Sequence, residues 1–420
     1  MLINSRRFNI SLGMFFSSVL FCSLAFSIDT VEPETVGLSS ERLNVLGQVI
    51  NKAIYEDKFA GAVLLVSRFG KVAHHESYGH QNKIKNKPMQ KNSLFRIYSM
   101  TKPIVSVAAL ILNERGKLLL TDPVHKYIPE FRDIKVFSDS SESKVSKPLR
   151  NPTIQDLLRH TSGLTYSIFG DSPVKKMYRE NNTLSWDQTS DEFVKKMARI
   201  PLLHEPGTVF EYGQSTDVLA RVIEVVTGKS LDVFLEENIF RPLEMKNTGY
   251  YVQEQFSERV AEQKADGNGN PRPLHRVDRV PNWIPGGHGL ISTADDYWRF
   301  AQMLLGGGTF EGVRVLSPTT VSYMTSDHLG KNIDKKSLNR YSEGHGFGLG
   351  VAVRTKNGVA GWSGSAGDYY WLGIAGTNFL VSPQHGLVMI FMAQEWLTAI
   401  PNRDLMFGLI FQTITSSITN

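Results

Sequence analysis

Segments patterned as strands lie at both ends of the chain, and segments patterned as helices fill its middle. Ala62 to Ser67 and Val72 to Ser77 are short strand-like runs joined by Arg68-Phe69-Gly70-Lys71, a hairpin signal. From about Gly346 the strand signals return, in Gly348 to Arg354, Tyr370 to Ala375, Asn378 to Ser382 and Leu387 to Ala393. Between the two sets, Ile104 to Asn113, Ile154 to Leu158, Val218 to Val226 and Tyr297 to Leu305 are apolar on one face, with Gly116, Gly163, Gly228 and Gly306 near their ends. Leu43, Leu46, Ile50 and Ile54 recur at helical spacing behind Ser39 and Ser40, and an apolar-rich stretch from Leu405 to Ile418 suits a closing helix. The pattern predicts an α/β fold: an antiparallel sheet built from both ends, flanked by the terminal helices, with a mostly helical domain inserted between its halves. No repeat of fixed period and no coiled-coil heptad interrupts it.

The expected boundaries are 28–93 for the first part of the α/β domain, 94–309 for the helical domain and 310–420 for the second part. Residues 1–27 read as a secretory signal peptide, because Arg6 and Arg7 precede the apolar-rich segment Ile10 to Phe26 and Ala25-Phe26-Ser27 supplies a small-x-small cleavage site. The segment falls short of the roughly 20 residues that a bilayer span prefers, and bulky Phe21 argues against a lipid anchor on Cys22. Cleavage after Ser27 removes Cys22, the 1 cysteine of the chain, and leaves an exported protein, periplasmic or extracellular, with no stable membrane span, no disulfide and no thiol nucleophile. With 420 residues and 41% hydrophobic content the chain has material for a real core. Its net charge of +5 comes without a long Lys/Arg run or a basic aromatic stripe, so no nucleic-acid partner is expected.

Ser-x-x-Lys occurs at Ser99/Lys102, Ser141/Lys144 and Ser172/Lys175. By itself the pattern is met equally by a helix cap beside a surface lysine. Context singles out Ser99, which stands between the extended run Leu94 to Tyr98 and the first turn of an apolar helix, with Pro103 where a first turn tolerates it. The i, i+3 spacing puts the Lys102 amine on the face of the Ser99 hydroxyl, and burial lowers a lysine's pKa toward that of a useful general base. The copies at Ser141 and Ser172 fall in polar segments and are expected to be solvated. Three further segments carry chemistry: Arg159 to Leu164 as a tight turn, Pro206 to Gln214 with Tyr212 at a loop-to-helix junction, and Gly361 to Gly367, small enough for backbone N–H groups to approach a substrate.

On these residues the sequence resembles the serine β-lactamases of class C and their penicillin-binding-protein-like relatives, the D,D-carboxypeptidases, D-aminopeptidases and esterases of the β-lactamase fold. The resemblance runs from about residue 35 to 395. It rests on Ser99-Met100-Thr101-Lys102, Leu157 to Leu164, Pro206-Gly207 through Tyr212, Gly286 to Thr293 and Trp362-Ser363-Gly364. It implies that Ser99 attacks a carbonyl and is acylated, that Lys102 takes its proton, and that Tyr212 passes a proton to the leaving group and then activates water. It further implies an oxyanion hole made by the N–H groups of Ser99 and Ser365, worth roughly 3–4 kcal/mol when preorganised.

Two positions depart from the family pattern. Trp362 stands where lactamases and peptidases carry the Lys or His that binds a substrate carboxylate, and Gln214 stands where lactamases usually show an Asn that bonds the substrate amide. Trp362, Ser363, Gly364 and Gln214 are the expected substrate-binding residues, and an indole in place of a cation is what the esterase branch looks like. The reading is an exported serine hydrolase acting on uncharged esters, with no cofactor and no metal. A β-lactam or peptide substrate for the same chemistry, as in a D,D-carboxypeptidase or D-aminopeptidase, and a non-catalytic peptidoglycan-binding protein are the alternatives. A pure binder has no need of Ser99, Lys102 and Tyr212 together. No Gly-x-Ser-x-Gly elbow exists. His74, His75, Glu76 and His80 lack metal-ligand order and are expected on a solvated strand, while His160 and His288 are expected to stabilise turns.

Overall fold

The computed structural model describes residues 28–137, 145–270, 274–335, 337, 343–396 and 403–419; the expected signal peptide at 1–27 and the Ser141/Lys144 pair lie outside them. One sheet organises the chain. Its strands are β1 (Gly61–Arg68), β2 (Lys71–Asn82), β3 (Lys87–Pro88), β4 (His345–Phe347), β5 (Ala352–Arg354), β6 (Tyr369–Leu372), β7 (Asn378–Ser382) and β8 (Leu387–Ala393). They pair in the order β4-β5-β6-β7-β8-β1-β2-β3, every neighbour antiparallel. The two ends of the chain join where β1 meets β8, from Ala62 opposite Ala393 to Arg68 opposite Leu387. Every residue of β1 and of β8 is buried, as expected of central strands covered on both faces. The β1–β2 hairpin closes through Phe69 and Gly70, with φ of 51° and 77°, the pair of left-handed residues that matches strand twist in a two-residue turn.

The terminal helices cover one face. Helix α1 (Ser40–Tyr55) starts at Ser39, whose hydroxyl accepts the Arg42 N–H at 3.3 Å, and it buries Leu43, Leu46, Ile50 and Ala53. Residues 403–416 form the last helix, which packs on α1 and buries Ile410, Phe411 and Ile414. The other face carries the helix Ala294–Leu305, which packs on β1, β7 and β8. Trp298 Nε1 and Gln302 Nε2 both donate to Ser67 Oγ on β1 at 2.7 Å, satisfying a hydroxyl buried in the sheet. His75, expected on a solvated strand, is buried on β2 and faces Asp295 of that helix, Nε2 to Oδ1 3.2 Å. Burial pulls the imidazole down to about 4 and pushes Asp295 up to about 7, so His75 is neutral at physiological pH and the contact is not an ion pair. Among the described residues no group of three His, Cys, Asp or Glu could hold a metal ion, and no helix is long and apolar enough to cross a membrane.

Between β3 and the Ala294–Leu305 helix lies the helical region. We label its two central helices α2 (Thr101–Glu114), in which Thr101 to Leu112 are all buried, and α3 (Ser215–Thr227), which packs against α2. Truncating any one of the α2 leucines to alanine would cost about 2–5 kcal/mol. A short ladder, Phe95 opposite Ser292 and Arg96 opposite Ile291, ties the entry to α2 to the segment 286–293. Among the described residues, four α-helices are not legible as periodic segments: Pro173–Glu180, Ser190–Arg199, Leu231–Leu235 and Pro318–Met324. Three of these are started by Ser172, Thr189 and Ser317, whose side chains accept from the first-turn backbone.

Candidate active site

The entry to α2 is a single tight turn, Tyr98–Met100, in which Tyr98 takes φ 43°. A bulky residue seldom adopts that conformation, and Tyr98 is held there by packing: its ring lies 5.0 Å from that of His275 and 5.5 Å from that of Trp396. The turn leaves Ser99 half-buried and Lys102, one turn into the fold, with no exposed surface. Lys102 Nζ donates to Ser99 Oγ at 3.2 Å, to the Tyr166 hydroxyl at 3.0 Å and to the Gly287 carbonyl at 2.6 Å. Three acceptors suit an ammonium. In the neutral amine two N–H groups keep Tyr166 and Gly287, and the lone pair faces the Ser99 hydroxyl. Burial lowers the Lys102 pKa, the nearby Asp217 carboxylate opposes part of that fall, and the result is about 7.

Tyr212 closes the other side of Ser99. Its buried hydroxyl faces the side chains of Ser99 and Trp371, and burial pushes its pKa above the usual tyrosine range. The Lys102 amine stands 4.8 Å from the Tyr212 ring centroid and 5.3 Å from that of Tyr166, a position in which both rings favour its protonated form. His160 supports the tyrosine as a turn residue and touches no part of Ser99: its carbonyl accepts the Glu211 N–H at 2.9 Å, its Nδ1 accepts the Gly213 N–H at 3.4 Å, and its ring lies 4.8 Å from that of Tyr212. Burial and the Lys102 charge keep that imidazole neutral.

The structure brings Ser99, Lys102 and Tyr212 together and leaves the remaining expected residues elsewhere. Strand β6 runs from Tyr369, opposite Val381, to Leu372, opposite Asn378, and packs against the Tyr98–Met100 turn. At its far end Trp371 sits against Tyr212, and just beyond it Thr377 Oγ1 donates to the Ile97 carbonyl at 3.3 Å. Residues 362–365 precede the opposite end. Trp362 packs on Phe411 of the last helix, with centroids 6.3 Å apart, Ser363 Oγ bonds Thr415 Oγ1 at 2.9 Å, and the Gly364 carbonyl accepts from Arg354. The Ser365 N–H is already donated to Asp368 Oδ2 at 2.7 Å and its hydroxyl is hydrogen-bonded to His385 Nε2, so that N–H is not free to serve as the expected second oxyanion donor. Trp371-Leu372-Gly373 repeats the Trp-x-Gly spacing nine residues later, and this copy packs on Tyr212 and on the turn that carries Ser99.

Gln214 is likewise committed. It is fully buried, its Oε1 accepting the Thr183 hydroxyl at 2.7 Å and its Nε2 donating to the Thr183 carbonyl at 3.2 Å, so it braces a loop and does not face a substrate. The Ser172/Lys175 copy is also not solvated: Ser172 caps a helix, and Lys175 pairs with half-buried Glu211 at 3.1 Å. Tyr166, Trp371 and Gly287 are site residues that the motifs did not assign. Tyr166 lies two residues past the Arg159–Leu164 turn, and Trp371 falls inside the Tyr370 to Ala375 strand signal.

Aromatic and neutral groups dominate the surroundings. Trp186 stacks on His275 at 4.7 Å and 13° and meets His288 edge-on at 5.2 Å. Burial first, aided by Arg96 for His275 and by Lys102 for His288, keeps both imidazoles well below their ordinary range.

The family model described as Beta-lactamase matches residues 46–406. Protein Rv1367c of Mycobacterium tuberculosis (strain ATCC 25618 / H37Rv) is 34% identical over 349 residues, covering 80% of this chain and 86% of that protein. Esterase EstB of Burkholderia gladioli is 29% identical over 388 residues, covering 86% and 93%. Among solved structures, EstCE1, titled a hydrolase with promiscuous acyltransferase activity, superposes with a TM-score of 0.75 at 24% identity over 90% of this chain and 98% of that one.

Proposed function

The chain belongs to the beta-lactamase family and is a serine hydrolase, and from that premise we propose that it is a carboxylesterase for uncharged acyl esters, exported behind the 1–27 leader, with Ser99 as its nucleophile. One observation carries the preference for esters. The position on β6 beside Tyr212 is filled by the Trp371 indole, which offers one neutral donor and an apolar face. An anionic β-lactam or a peptide C-terminus asks for a cation at such a place. The half-buried rings of Trp396 on Tyr98, Phe169 on Tyr212 and Trp186 on His275 suit an apolar acyl or alcohol group. The name of the EstB relative points the same way.

In this reading neutral Lys102 takes the Ser99 proton as Oγ bonds the ester carbonyl carbon. The oxyanion that forms is held by the Ser99 N–H. As the tetrahedral intermediate collapses, the carbon–oxygen bond to the alcohol breaks and the leaving oxygen takes a proton from the Tyr212 hydroxyl. The Lys102 ammonium, 4.8 Å from the Tyr212 ring centroid, returns its proton to the phenolate so formed. Water then attacks the acyl-serine along the same path in reverse, giving the carboxylic acid and free Ser99.

Incubation with p-nitrophenyl butyrate and with nitrocefin, wild type beside Ser99→Ala, tests the reading. Turnover of the ester that vanishes in Ser99→Ala supports it. A better rate on nitrocefin places the protein with the lactamases or D-peptidases. Turnover of neither would fit a peptidoglycan-binding protein, and undiminished ester turnover in Ser99→Ala would remove the nucleophile.

A further inference from the structure

We infer that Asp217 is a positioning residue for the reaction: acting through Gly287, it fixes a carbonyl on Lys102, and its carboxylate charge governs how readily that amine holds a proton. The inference rests on the reading of Lys102 as the proton acceptor of Ser99. Asp217 occupies the third position of α3, in the first turn, where the helix favours a negative charge. It is fully buried. Its Oδ1 accepts the Gly287 N–H at 2.7 Å, and the Gly287 carbonyl accepts Lys102 Nζ at 2.6 Å. One residue therefore links acid to amine by its two backbone groups.

The link depends on close approach. A Cβ on Gly287 would come within 2.6 Å of Asp217 Oδ2, and one on Gly286 within 2.3 Å of the Thr216 carbonyl, so two glycines let the segment reach α3. The ladder at Arg96 and Ile291 fixes the same segment from its other side. Asp217 Oδ2 has no hydrogen-bond partner among the described residues, and an ionised carboxylate so placed is stabilised mainly by the nearby ammonium. Of the titratable groups around the pair, His288 approaches Asp217 Oδ1 to 3.6 Å with Nδ1, Tyr250 responds to the Asp217 charge, and His160, Tyr166 and Tyr212 face Lys102. Burial keeps the two imidazoles neutral, and Tyr212 and Tyr250 have pKa values raised above the ordinary range, so Asp217 is the group able to change charge near neutrality. Its carboxylate favours ammonium at Lys102, whereas burial of both groups favours the uncharged pair.

The sign of the expected effect follows. Neutral Lys102 is the reactive form, so the acylation rate rises with pH through the Lys102 titration. Asp217→Asn keeps an acceptor for the Gly287 N–H but removes the charge that favours ammonium, so the rise moves to lower pH. Asp217 touches neither Ser99 nor the substrate position, and a purely structural role would leave that limb in place.

The test is the pH dependence, between pH 5 and 9, of the p-nitrophenol burst released when p-nitrophenyl ethyl butylphosphonate phosphonylates the full-length enzyme. Burst amplitude counts competent Ser99 sites, so misfolded protein does not enter the rate. Asp217→Asn is expected to shift the acid limb down by about one pH unit, the lower end for a close opposite charge, with the plateau rate within about fivefold of wild type. Asp217→Ala, which frees Gly287, is expected to lower the plateau at least about tenfold. An unmoved limb in Asp217→Asn overturns the inference and leaves the esterase reading intact, because a phosphonate reports on the serine whatever acyl group it prefers. A wild type without a burst overturns both. If Asp217→Asn yields no competent sites, Gly287→Ala takes its place: a plateau at least about tenfold below wild type supports the link, and an unchanged plateau and limb overturn it.

Discussion

The rings of Tyr212 and Trp371 lie 5.3 Å apart, centroid to centroid, with their planes at 57°. An indole thus stands against the tyrosine that faces the nucleophile, at the end of β6, where recognition of an anionic substrate would call for a positive charge. A charge-assisted hydrogen bond contributes about 1.5–3 kcal/mol, roughly ten- to more than a hundredfold in affinity. The wild type is therefore expected to hydrolyse p-nitrophenyl butyrate with a kcat/KM at least about a hundredfold above that for nitrocefin. Steady-state rates on the two chromogenic substrates check this, and near-equal values would show that Trp371 does not exclude the anion.

Lys102 sets the pH dependence. Because its amine is reactive when neutral and burial has brought its pKa down to about 7, kcat/KM should climb as pH rises through that value and level off above it. Lys102→Ala should lower kcat by about 10²–10⁴ while the thermal midpoint stays near or above that of the wild type, since a buried amine is removed. A pH–rate profile and a melting curve on both proteins measure the two effects. A profile flat from pH 5 to 9 would assign the base elsewhere.

Tyr212 and Trp362 make a matched pair of variants. Tyr212→Phe removes the hydroxyl that faces Ser99 and should cost at least about 10² in kcat. Trp362→Ala acts on the last helix, on the far side of the sheet, and should leave kcat within about threefold, its effect being on stability. The reverse outcome would return the substrate site to residues 362–365.

Asp156 holds the turn that carries His160. Its carboxylate accepts from Arg150 at 2.5 and 3.0 Å, from Arg159 at 3.0 Å, from the Thr161 hydroxyl at 2.8 Å and from the Thr153 N–H at 3.0 Å. Burial alone would raise its pKa, but Arg150 and Thr153 outweigh that and hold it below the ordinary carboxylate range. Its contribution is thus complete above the unfolded carboxylate pKa of about 3.9 and is lost as pH falls below it toward the folded value. Asp156→Asn should destabilise the fold by about 2–4 kcal/mol at pH 7, less at pH 3, as read from urea unfolding at the two pH values. Equal losses at both would mean that the charge plays no part.

The sheet was legible because its strands are apolar runs bounded by turns, and Asn378–Ser382 and Leu387–Ala393 fall where the pattern puts them. Ser99, Lys102 and Tyr212 were legible because each sits in a local pattern at a helix entrance. Trp371 was not, since two Trp-x-Gly triplets lie nine residues apart and only the pairing of β6 with β7 decides which one faces Ser99. Nor was Gln214: its partner Thr183 is 31 residues away in sequence, and no short motif links them. His75 was misread for a related reason, as β2 is covered by the Ala294–Leu305 helix, an element more than 200 residues further along the chain. Long-range contacts of this kind leave little trace in local periodicity.

The most direct measurement is intact-mass and peptide mass spectrometry on enzyme acid-quenched during turnover of p-nitrophenyl butyrate. The account predicts one butyryl group per chain, located on the peptide that carries Ser99, present in the wild type, accumulating in Tyr212→Phe if deacylation slows, and absent from Ser99→Ala together with the turnover. Ester hydrolysis by Ser99→Ala at the wild-type rate, or a butyryl group on any other residue, would contradict it.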